Sequence, residues 1–368
     1  MIIYIMIIYV TIIQILIFLL LLYKDISKYN ISLELLINRF IVKNIGRKDI
    51  LLHGVSCGEI NLLNPIVKIL EDKKKSYIIS VHTPTGYMMG KKFTNKIILK
   101  PYECLITSFI LFYFVRPNKL IISESDMWPS YLIMSIIFRC EVIFINYNIK
   151  NKVLRNIYHN LIANKIYLKN KQTIPSYLIN KYDYLGNIKL LSDESKVYNK
   201  LYKSIVIASA HLEELEIHLN LIKLLIEDYL IIYLPRNLNY KDVMIRNMKN
   251  KNLSFKFCED FNFEMRKINI IWKIGMLNQI YPLTQFTIMG GTFNDTGGHN
   301  IIEPIRNKNI VYHGPNTHTI SDLVNTYKTI PITKDFTEFN YCNDIVENNY
   351  NLYVNNKEKV KNRIHKLL

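Results

Sequence analysis

Residues 285–315 read QFTIMGGTFNDTGGHNIIEPIRNKNIVYHGP, and this stretch holds five of the twelve glycines in the chain. Phe286–Met289 has the composition of a short buried strand, and Gly290 and Gly291 end it. The second glycine pair, Gly297 and Gly298, opens an Ile-Ile-Glu-Pro segment that is typical of the start of a helix. Glycine adopts positive φ and lets a backbone approach a ligand closely.

A strand, a glycine turn and a helix N-terminus together form a site for an anion, because free N–H groups and the helix dipole point at the ligand. The dipole contributes only about 0.3–2 kcal/mol, so it supports binding without defining a substrate. An ordinary connection between a strand and a helix has the same spacing. The stretch alone therefore leaves both interpretations open, and a second polar cluster earlier in the chain favours the site.

The chain has 368 residues, which predicts two domains, and 49% of them are hydrophobic, enough for a packed interior. The net charge of +17 indicates an acidic partner such as anionic lipid, a phosphorylated substrate or nucleic acid, although a lysine-rich composition contributes to it. The five cysteines are widely spaced without a CxxC pair. That pattern excludes a disulfide framework and a zinc knuckle, and it is typical of a reducing compartment.

The first segment, Met1–Tyr23, contains no charged residue and is long enough to span a bilayer. It lacks the basic start and the small-residue cleavage site of a signal peptide. We predict a single N-terminal membrane anchor over residues 1–23, with a buried helix as the alternative. Lysines and arginines follow it, so the positive-inside rule predicts that the soluble bulk of the chain faces the cytoplasm.

The first half of the remaining chain alternates strands with helices, which predicts a parallel sheet with functional loops at the carboxyl ends of its strands. The predicted strands are Asp49–His53, Tyr77–Val81, Lys96–Leu99, Lys119–Ser123 and Glu141–Asn146. The loops that follow these strands carry a polar set: Glu59, Thr83, Thr85, Glu124 and Asp126.

The second half repeats this layout after a predicted linker that begins with Gly186–Lys189. Its predicted strands are Ser204–Ala208 and Leu230–Leu234, followed by the glycine-rich stretch. We predict an α/β protein of two parallel-sheet domains, residues 24–190 and 191–368, that face each other across a cleft. The second domain includes a basic C-terminal helix, which is either a solvated face or a segment near anionic lipid.

Single residues in these loops have more than one interpretation. Glu59 can act as a general base or complement a helix dipole, and Glu124 and Asp126 can be paired acids or helix caps. Cys57 lacks the His-Asn pattern of a nucleophile. Arg236 is either a phosphate partner or a surface arginine.

Other site classes receive less support from the sequence. His211, Glu214 and His218 form only a weak metal-binding pattern. The sequence has no GxxxxGK[ST], GxGxxG or GxSxG motif, which excludes phosphate-loop ATPases, simple dinucleotide enzymes and serine hydrolases. No basic–aromatic stripe of an RNA-binding module is present, so we expect no nucleic-acid partner.

The motifs taken together resemble those of the 3-deoxy-D-manno-octulosonic acid (Kdo) transferases. The family patterns HxVSxGE, TxTPTG, ETExWPN, GNxK, ASTH, PRH and GGSF–GGHNxLEP–GP have counterparts in the same order along nearly the whole chain. Those counterparts are HGVSCGE from His53, HTPTG from His82, SESDMWPS from Ser123, GNIK from Gly186, ASAH from Ala208, PRN from Pro235, and GGTFNDTGGHNIIEP from Gly290 followed by HGP from His313.

The resemblance implies a GT-B glycosyltransferase fold, with an acceptor site in the first Rossmann-like domain and a nucleotide site in the second. It implies an inverting transfer of Kdo from CMP-Kdo to a phosphorylated, membrane-embedded lipid A precursor, lipid IVA. CMP-Kdo would be the donor substrate, and no separate cofactor or bound metal would be required.

The resemblance also assigns roles to individual residues. Glu59 would be the catalytic base that accepts the proton of the acceptor hydroxyl, and Glu124 would be a second active-site carboxylate. The donor would contact Ser209, His211, Arg236, Gly290, Gly291, Gly298, His299, Asn300 and Glu303. The acceptor side would comprise Ser56, Gly58, Thr83, Thr85, Gly86 and Asp126.

Several positions depart from the family pattern. Ala210 replaces a threonine, Glu213 a glycine, Asn237 a histidine and Asp126 a glutamate, and the stretch around Asn148 lacks an arginine and a serine. Donor affinity or acceptor choice can therefore differ. Two alternatives remain open: a GT-B transferase that uses a nucleoside diphosphate sugar, and a membrane-bound relative without catalytic activity.

Overall fold

A computed structural model describes residues 45–368 except 125, 127, 150–152, 171–172, 176–180, 192–198, 334–335 and 337–338, together with seven single positions before residue 45. The predicted anchor over residues 1–23 lies outside the described residues apart from four of those positions. Within the part of the chain that is described, no helix combines the length and apolar character needed to cross a membrane. The anchor thus stays a prediction.

The chain divides into two compact units. The first comprises residues 1–192 together with the last ten residues, Lys359–Leu368, and the second comprises Asp193–Glu358. Each unit contains its own parallel sheet and its own buried core.

The sheet of the first unit has seven strands, whose bounds are β1 Ile50–Gly54, β2 Tyr77–Val81, β3 Ile97–Leu99, β4 Lys119–Ser123, β5 Glu141–Tyr147, β6 Lys165–Leu168 and β7 Tyr182–Tyr184. Their order across the sheet is β3-β2-β1-β4-β5-β6-β7, and all neighbouring pairs are parallel. The order reverses between β1 and β4. Such a reversal opens a crevice at the carboxyl ends of the two strands, where ligands bind in open α/β sheets.

The helices of the first unit connect these strands and cover the sheet; they are α1 Cys57–Asp72, α2 Pro84–Gly90, α3 Leu105–Val115, α4 Pro129–Ile137 and α5 Val153–Ile162. In α1 the apolar residues Ile60, Leu63, Val67 and Leu70 recur at intervals of three and four and are buried. This spacing forms one apolar stripe that faces the sheet. Ser56, in an extended conformation, precedes the first turn as the N-cap.

The sheet of the second unit also has seven strands, with bounds β8 Ser204–Ala210, β9 Leu230–Pro235, β10 Phe255–Phe257, β11 Ile268–Ile270, β12 Phe286–Met289, β13 Ile310–His313 and β14 Ile330–Pro331. Their order is β10-β11-β9-β8-β12-β13-β14, again parallel throughout. This order reverses between β8 and β12, so the second unit has a crevice of the same kind.

The remaining helices are α6 Leu215–Leu225, α7 Lys241–Asn250, α8 Leu277–Ile280, α9 Ile302–Arg306, α10 Ser321–Thr326 and α11 Asn343–Leu367, with short 3₁₀ helices at Ile188–Leu191, Leu212–Glu214 and Tyr281–Leu283. The helix α11 begins in the second unit, and its residues from Lys359 onward belong to the first. The expectation that the C-terminal helix belongs to the second domain therefore describes only its first part.

The predicted linker is only partly right: the second unit begins at Asp193, in the polar residues that follow, but Gly186–Lys189 is packed into the first unit. Asn187 is 6% exposed and Ile188 is fully buried in the first unit. Gly186 has a φ of +98°, and a Cβ there would lie 2.7 Å from the side chain of Val360. The small and polar residues of this segment serve a tight packed turn, which their composition alone does not distinguish from an exposed connection.

Candidate active site

Both predicted clusters lie at the points where the strand order reverses. In the first unit Glu59 follows β1 and Glu124 follows β4, and these two strands are neighbours. In the second unit His211 follows β8 and Gly290 follows β12, which are also neighbours. The topology therefore brings the predicted residues of each unit to one edge of its own sheet.

Glu59 lies in the first turn of α1 and is 6% exposed. Its Oε2 accepts a hydrogen bond of 2.7 Å from the backbone N–H of Val55, and its Oε1 accepts one of 3.2 Å from the Ser56 hydroxyl. These bonds fold the carboxylate back onto the loop that leaves β1 and fix its orientation.

The pKa of Glu59 is raised to about 7, and burial is the largest cause. The hydrogen bond from Val55 opposes this shift, while the negative charges of Glu124 and Asp126 add to it. A carboxylate with a pKa near neutrality is well matched to accept a proton at neutral pH. The three carboxylates predicted from the sequence thus interact electrostatically at one edge of the sheet.

Glu124 directly follows β4 and has a φ of +64°, which is uncommon for a residue with a side chain. Its backbone N–H donates to the carbonyl of Ile145 at 2.8 Å, which holds this conformation, and its side chain is half-buried. Asn146, at the end of β5 beside it, also has a positive φ, of 55°. Strained residues of this kind cluster at functional sites. Asp126 is exposed.

The predicted acceptor-side residues of the next loop contact the Glu59 loop through Thr83. The Thr83 hydroxyl donates to the carbonyl of Val55 at 3.0 Å and accepts from the N–H of Gly86 at 3.2 Å. A Cβ at Gly86 would lie 3.3 Å from the backbone of Ser56, so glycine permits this close approach. Thr85 is exposed at the start of α2. Gly58 has space around it, with the Ser56 hydroxyl 3.8 Å from a Cβ placed there.

A buried polar network behind this edge was not predicted from the sequence. The Nδ1 of His53 lies 3.2 Å from the Ser80 hydroxyl, which is 2.8 Å from the hydroxyl of Tyr131. Lys100 is fully buried, forms an ion pair with Glu103, and its Nζ lies 4.6 Å from the centre of the Tyr131 ring. Burial first, and then the charge of Lys100, lowers the pKa of His53 well below its usual value, so this histidine is neutral. These residues lie on separate elements, the strands β1 and β2, the loop after β3 and the helix α4, and no local spacing indicates their contact.

In the second unit, His211 and His299 are brought together from loops 88 residues apart. Their Nε2 atoms are 2.7 Å apart, and the two rings are nearly parallel, at 7°. At that distance one nitrogen donates and the other accepts a hydrogen bond. The resemblance assigned both residues to the donor site, and they do lie in direct contact.

The glycine-rich loop follows β12 as predicted, but four of its N–H groups donate within the protein. Gly290 donates to the carbonyl of Ala208 at 2.8 Å, Gly291 and Phe293 donate to Glu214, and Gly298 donates to the carbonyl of Gly291 at 2.6 Å. The expectation that the N–H groups of Gly290, Gly291 and Gly298 point at an anion is therefore wrong. These glycines shape the loop instead: a Cβ at Gly290 would lie 2.3 Å from the carbonyl oxygen of Ser209.

The helix that follows the second glycine pair, α9, has only five residues, Ile302–Arg306. Asn300 accepts from the N–H of Ile302 at 3.2 Å and donates to the Glu303 carboxylate at 3.2 Å, so its side chain organises the first turn. Glu303 is half-buried.

Two further predicted donor-site residues lie at the ends of β8 and β9. Ser209 has a φ of +55° at the end of β8. Arg236 is exposed after β9, and its backbone N–H donates to the carbonyl of Ala210 at 2.8 Å.

Glu214 is the residue of this edge whose role sequence reasoning missed. Its carboxylate accepts hydrogen bonds from the backbone N–H groups of His211, Gly291 and Phe293. The available signal was its position three residues after His211, which suits a residue that bonds back to the start of a helix. Within the described part of the chain, no group of three or more His, Cys, Asp or Glu side chains is arranged to hold a metal ion.

Two Rossmann-like units of this kind are the architecture of the GT-B fold of glycosyltransferases. A solved glycosyltransferase from Rickettsia africae has the same fold, with a TM-score of 0.55, 15% identity, and coverage of 86% of this chain and 93% of that one.

Within this class, the chain is similar to the Kdo transferases. Residues 35–173 match the family model described as 3-deoxy-D-manno-octulosonic-acid transferase. The Kdo transferase of Aquifex aeolicus is 24% identical over 74% of this chain and 77% of its own length. That of Rickettsia typhi is 24% identical over 92% of this chain and 74% of its own.

Proposed function

We propose that this protein is an inverting glycosyltransferase that moves Kdo from CMP-Kdo to a hydroxyl of a phosphorylated lipid A precursor, lipid IVA. The observation that carries the proposal is the buried carboxylate of Glu59, held by Val55 and Ser56 at the reversal of the first sheet, with a pKa of about 7. The similarity to the Kdo transferases supports this choice of substrates, and the geometry around Glu59 supports its role as the base.

In this proposal Glu59 accepts the proton of the acceptor hydroxyl as its oxygen forms a bond to the anomeric carbon of Kdo. The bond from that carbon to the CMP phosphate breaks at the same time, with its electron pair leaving on the phosphate. CMP departs as a phosphate monoester anion. Preorganised positive and hydrogen-bonding groups stabilise charge that develops on a leaving group, which is the role we give to His211, His299 and Arg236.

The reaction as written needs neither a cofactor nor a metal ion. Ser209 and the glycine loop shape the nucleotide site, and Asn300 and Glu303 hold the ribose. On the acceptor side, Thr83 and Gly86 fix the loop that carries Glu59, because Thr83 bonds to Val55 and Gly86 lies against Ser56. Glu124 and Asp126 contribute charge that raises the pKa of Glu59.

We also propose that the acceptor is reached at the cytoplasmic face of the inner membrane. Two neighbouring helices of the first unit, α3 and α4, expose large apolar side chains, among them Ile106 at 70%, Ile136 at 61% and Ile137 at 58%. Contiguous exposed apolar surface marks interaction sites with membranes or proteins. The net charge of +17 suits an anionic lipid surface.

The test is release of CMP from CMP-Kdo by the purified full chain, measured with and without the lipid A precursor. We expect release only with the acceptor, and a fall of about 10²–10⁴-fold in the Glu59→Gln variant, the range for loss of a general base. The matched control is Glu71→Gln on the same helix, which keeps wild-type turnover. No acceptor-dependent release by folded wild-type protein would refute the proposal.

A second candidate is a transferase that uses a nucleoside diphosphate sugar. It is favoured by the departures at Ala210, Glu213 and Asn237: Ala210 ends β8, and the other two lie in the segments that follow β8 and β9. The two candidates differ in a thermal-shift comparison: stabilisation by UDP and not by CMP supports the second.

A further inference from the structure

Glu214 is a fully buried carboxylate that joins the two loops at the edge of the second sheet. Its Oε2 accepts backbone N–H groups from His211 at 3.1 Å and from Gly291 at 2.8 Å, and its Oε1 accepts that of Phe293 at 2.9 Å. His211 belongs to the loop after β8, and the other two donors belong to the loop after β12. One side chain therefore fixes the backbones of both loops to each other.

The same two loops carry the imidazoles of His211 and His299, whose Nε2 atoms meet at 2.7 Å. Gly291 also lies close to His299, because a Cβ at Gly291 would be 3.2 Å from the His299 ring. A movement of Gly291 away from Glu214 would consequently change the position of His299. The spacing of the two imidazoles depends on the carboxylate beneath them.

We propose that Glu214 is a positioning residue for donor binding: it locks the β8 and β12 loops so that His211 and His299 together receive the phosphate of a nucleotide donor. This inference rests on the proposed function, in which the second unit binds a nucleotide sugar. Glu214 itself does not touch the donor, since its side chain is fully buried beneath the two loops that it joins.

The informative substitution is Glu214→Gln, which keeps the size of the side chain. An amide has one oxygen and one NH₂ group, so in either orientation at least one of the three backbone N–H groups faces another donor. A buried donor without an acceptor is costly, and hydrogen bonds to a charged group contribute about 1.5–3 kcal/mol. We expect the two loops to separate locally while the core of the second unit remains folded.

The experiment compares wild type, Glu214→Gln and the control Glu216→Gln, an exposed glutamate on the following helix that loses the same charge. Hydrogen exchange of the amides of Gly291 and Phe293 shows whether their hydrogen bonds to Glu214 are present. Calorimetry with CMP and with UDP measures nucleotide affinity. We expect both amides to be protected in wild type without ligand. In Glu214→Gln they exchange faster, nucleotide affinity falls about tenfold or more, and the donor KM rises while the acceptor KM does not change.

Several outcomes would overturn the inference. Fast exchange of both amides in unliganded wild type means that Glu214 does not hold the two loops together. This measurement uses wild type alone, so it stands even when the variant does not fold. Faster exchange with unchanged nucleotide affinity leaves Glu214 a purely structural residue. If wild type binds UDP and not CMP, the proposed function fails, while an equal loss of UDP affinity in Glu214→Gln supports the inference. Wild type that binds neither nucleotide refutes both.

Discussion

At the scale of single residues, the chemistry of Glu59 is set by burial and by neighbouring charge. The sequence placed it after a predicted strand, and the structure shows a buried carboxylate bonded to Val55 and Ser56. Its position was predictable because strand and helix patterns on either side of it are clear. Its pKa was not, because Glu124 and Asp126 reach it from a different strand of the sheet.

The raised pKa of Glu59 predicts the acid side of the pH–activity profile. A general base works only when ionised, so kcat/KM should fall as the pH drops below about 7. Removing a neighbouring negative charge makes Glu59 easier to ionise, so Asp126→Asn should move this decline to lower pH. The measurement is kcat/KM against pH for both proteins. A shift to higher pH in the variant would contradict the electrostatic argument.

The same pKa also predicts how stability depends on pH. A carboxyl whose pKa is raised from 4.5 to about 7 binds more protons in the folded state. The contribution of Glu59 to the free energy of unfolding is therefore fully present below about pH 4.5 and is lost as the pH rises through about 7. Urea unfolding should show that Glu59→Gln gains stability relative to wild type between pH 5 and pH 8, by up to about 3 kcal/mol. A difference in the free energy of unfolding that stays constant across this pH range would argue against a buried carboxyl with a raised pKa.

Residue-level inference from sequence reached its limit at Glu214. Its partners Gly291 and Phe293 are 77 and 79 residues away, so only the fold reveals that one carboxylate bonds to both. The glycine spacing likewise did not reveal that the N–H groups of Gly291 and Phe293 have an internal acceptor.

At the scale of elements, strands with strong apolar patterns were predicted well. Tyr77–Val81, Lys119–Ser123 and Phe286–Met289 are observed with the predicted bounds. Short strands such as Tyr182–Tyr184 and Phe255–Phe257 were not predicted, because they are only partly buried and lack a continuous apolar run. Their strand geometry comes from pairing with a neighbour at the sheet edge.

The close packing of the glycine turn after β12 predicts that alanine is tolerated less well at Gly290 than at Gly58. Gly290→Ala should destabilise the protein or distort the loop, because its Cβ would lie 2.3 Å from the Ser209 carbonyl oxygen. Gly58→Ala should fold as well as wild type or be more stable by roughly 0.5–1 kcal/mol, because it lies in a helix with space for a Cβ. Urea unfolding of both variants tests the contrast, and equal stability would refute it.

The apolar surface of α3 and α4 predicts a selective effect on the lipid acceptor. Replacing both Ile136 and Ile137 by serine removes exposed apolar area without opening a core cavity. We expect the KM for acceptor presented in vesicles to rise severalfold while CMP affinity stays at the wild-type value. Ile217→Ser, an exposed apolar residue of the second unit, is the control. An unchanged acceptor KM would show that this surface does not contact lipid.

At the scale of the whole molecule, the sequence indicated two α/β domains but not which strands are neighbours. Alternating elements predict parallel sheets, whereas the reversals at β1–β4 and β8–β12 depend on long-range pairing. Residues 359–368 were placed with the second domain because they follow it in sequence, yet they belong to the first unit.

The two tryptophans provide a test of nucleotide binding at this scale. Trp128 is packed against the core of the first unit and Trp272 against that of the second. With Trp128→Phe the remaining fluorescence reports the second unit, and with Trp272→Phe it reports the first. Because ligands stabilise the part that binds them, CMP should raise the unfolding midpoint reported by Trp272 more than that reported by Trp128. The reverse order would place the nucleotide in the first unit.

The division of α11 between the units has a consequence for biosynthesis. Arg363 donates to the carbonyl of Leu185 at 3.2 Å, and Lys119 donates to that of Leu367 at 2.8 Å. These contacts cannot form until residues 359–368 have been translated and have emerged from the ribosome. Domains made first generally fold first during translation. The first unit, which carries Glu59, is therefore completed only after residues 359–368 are made, and thus after synthesis of the entire second unit.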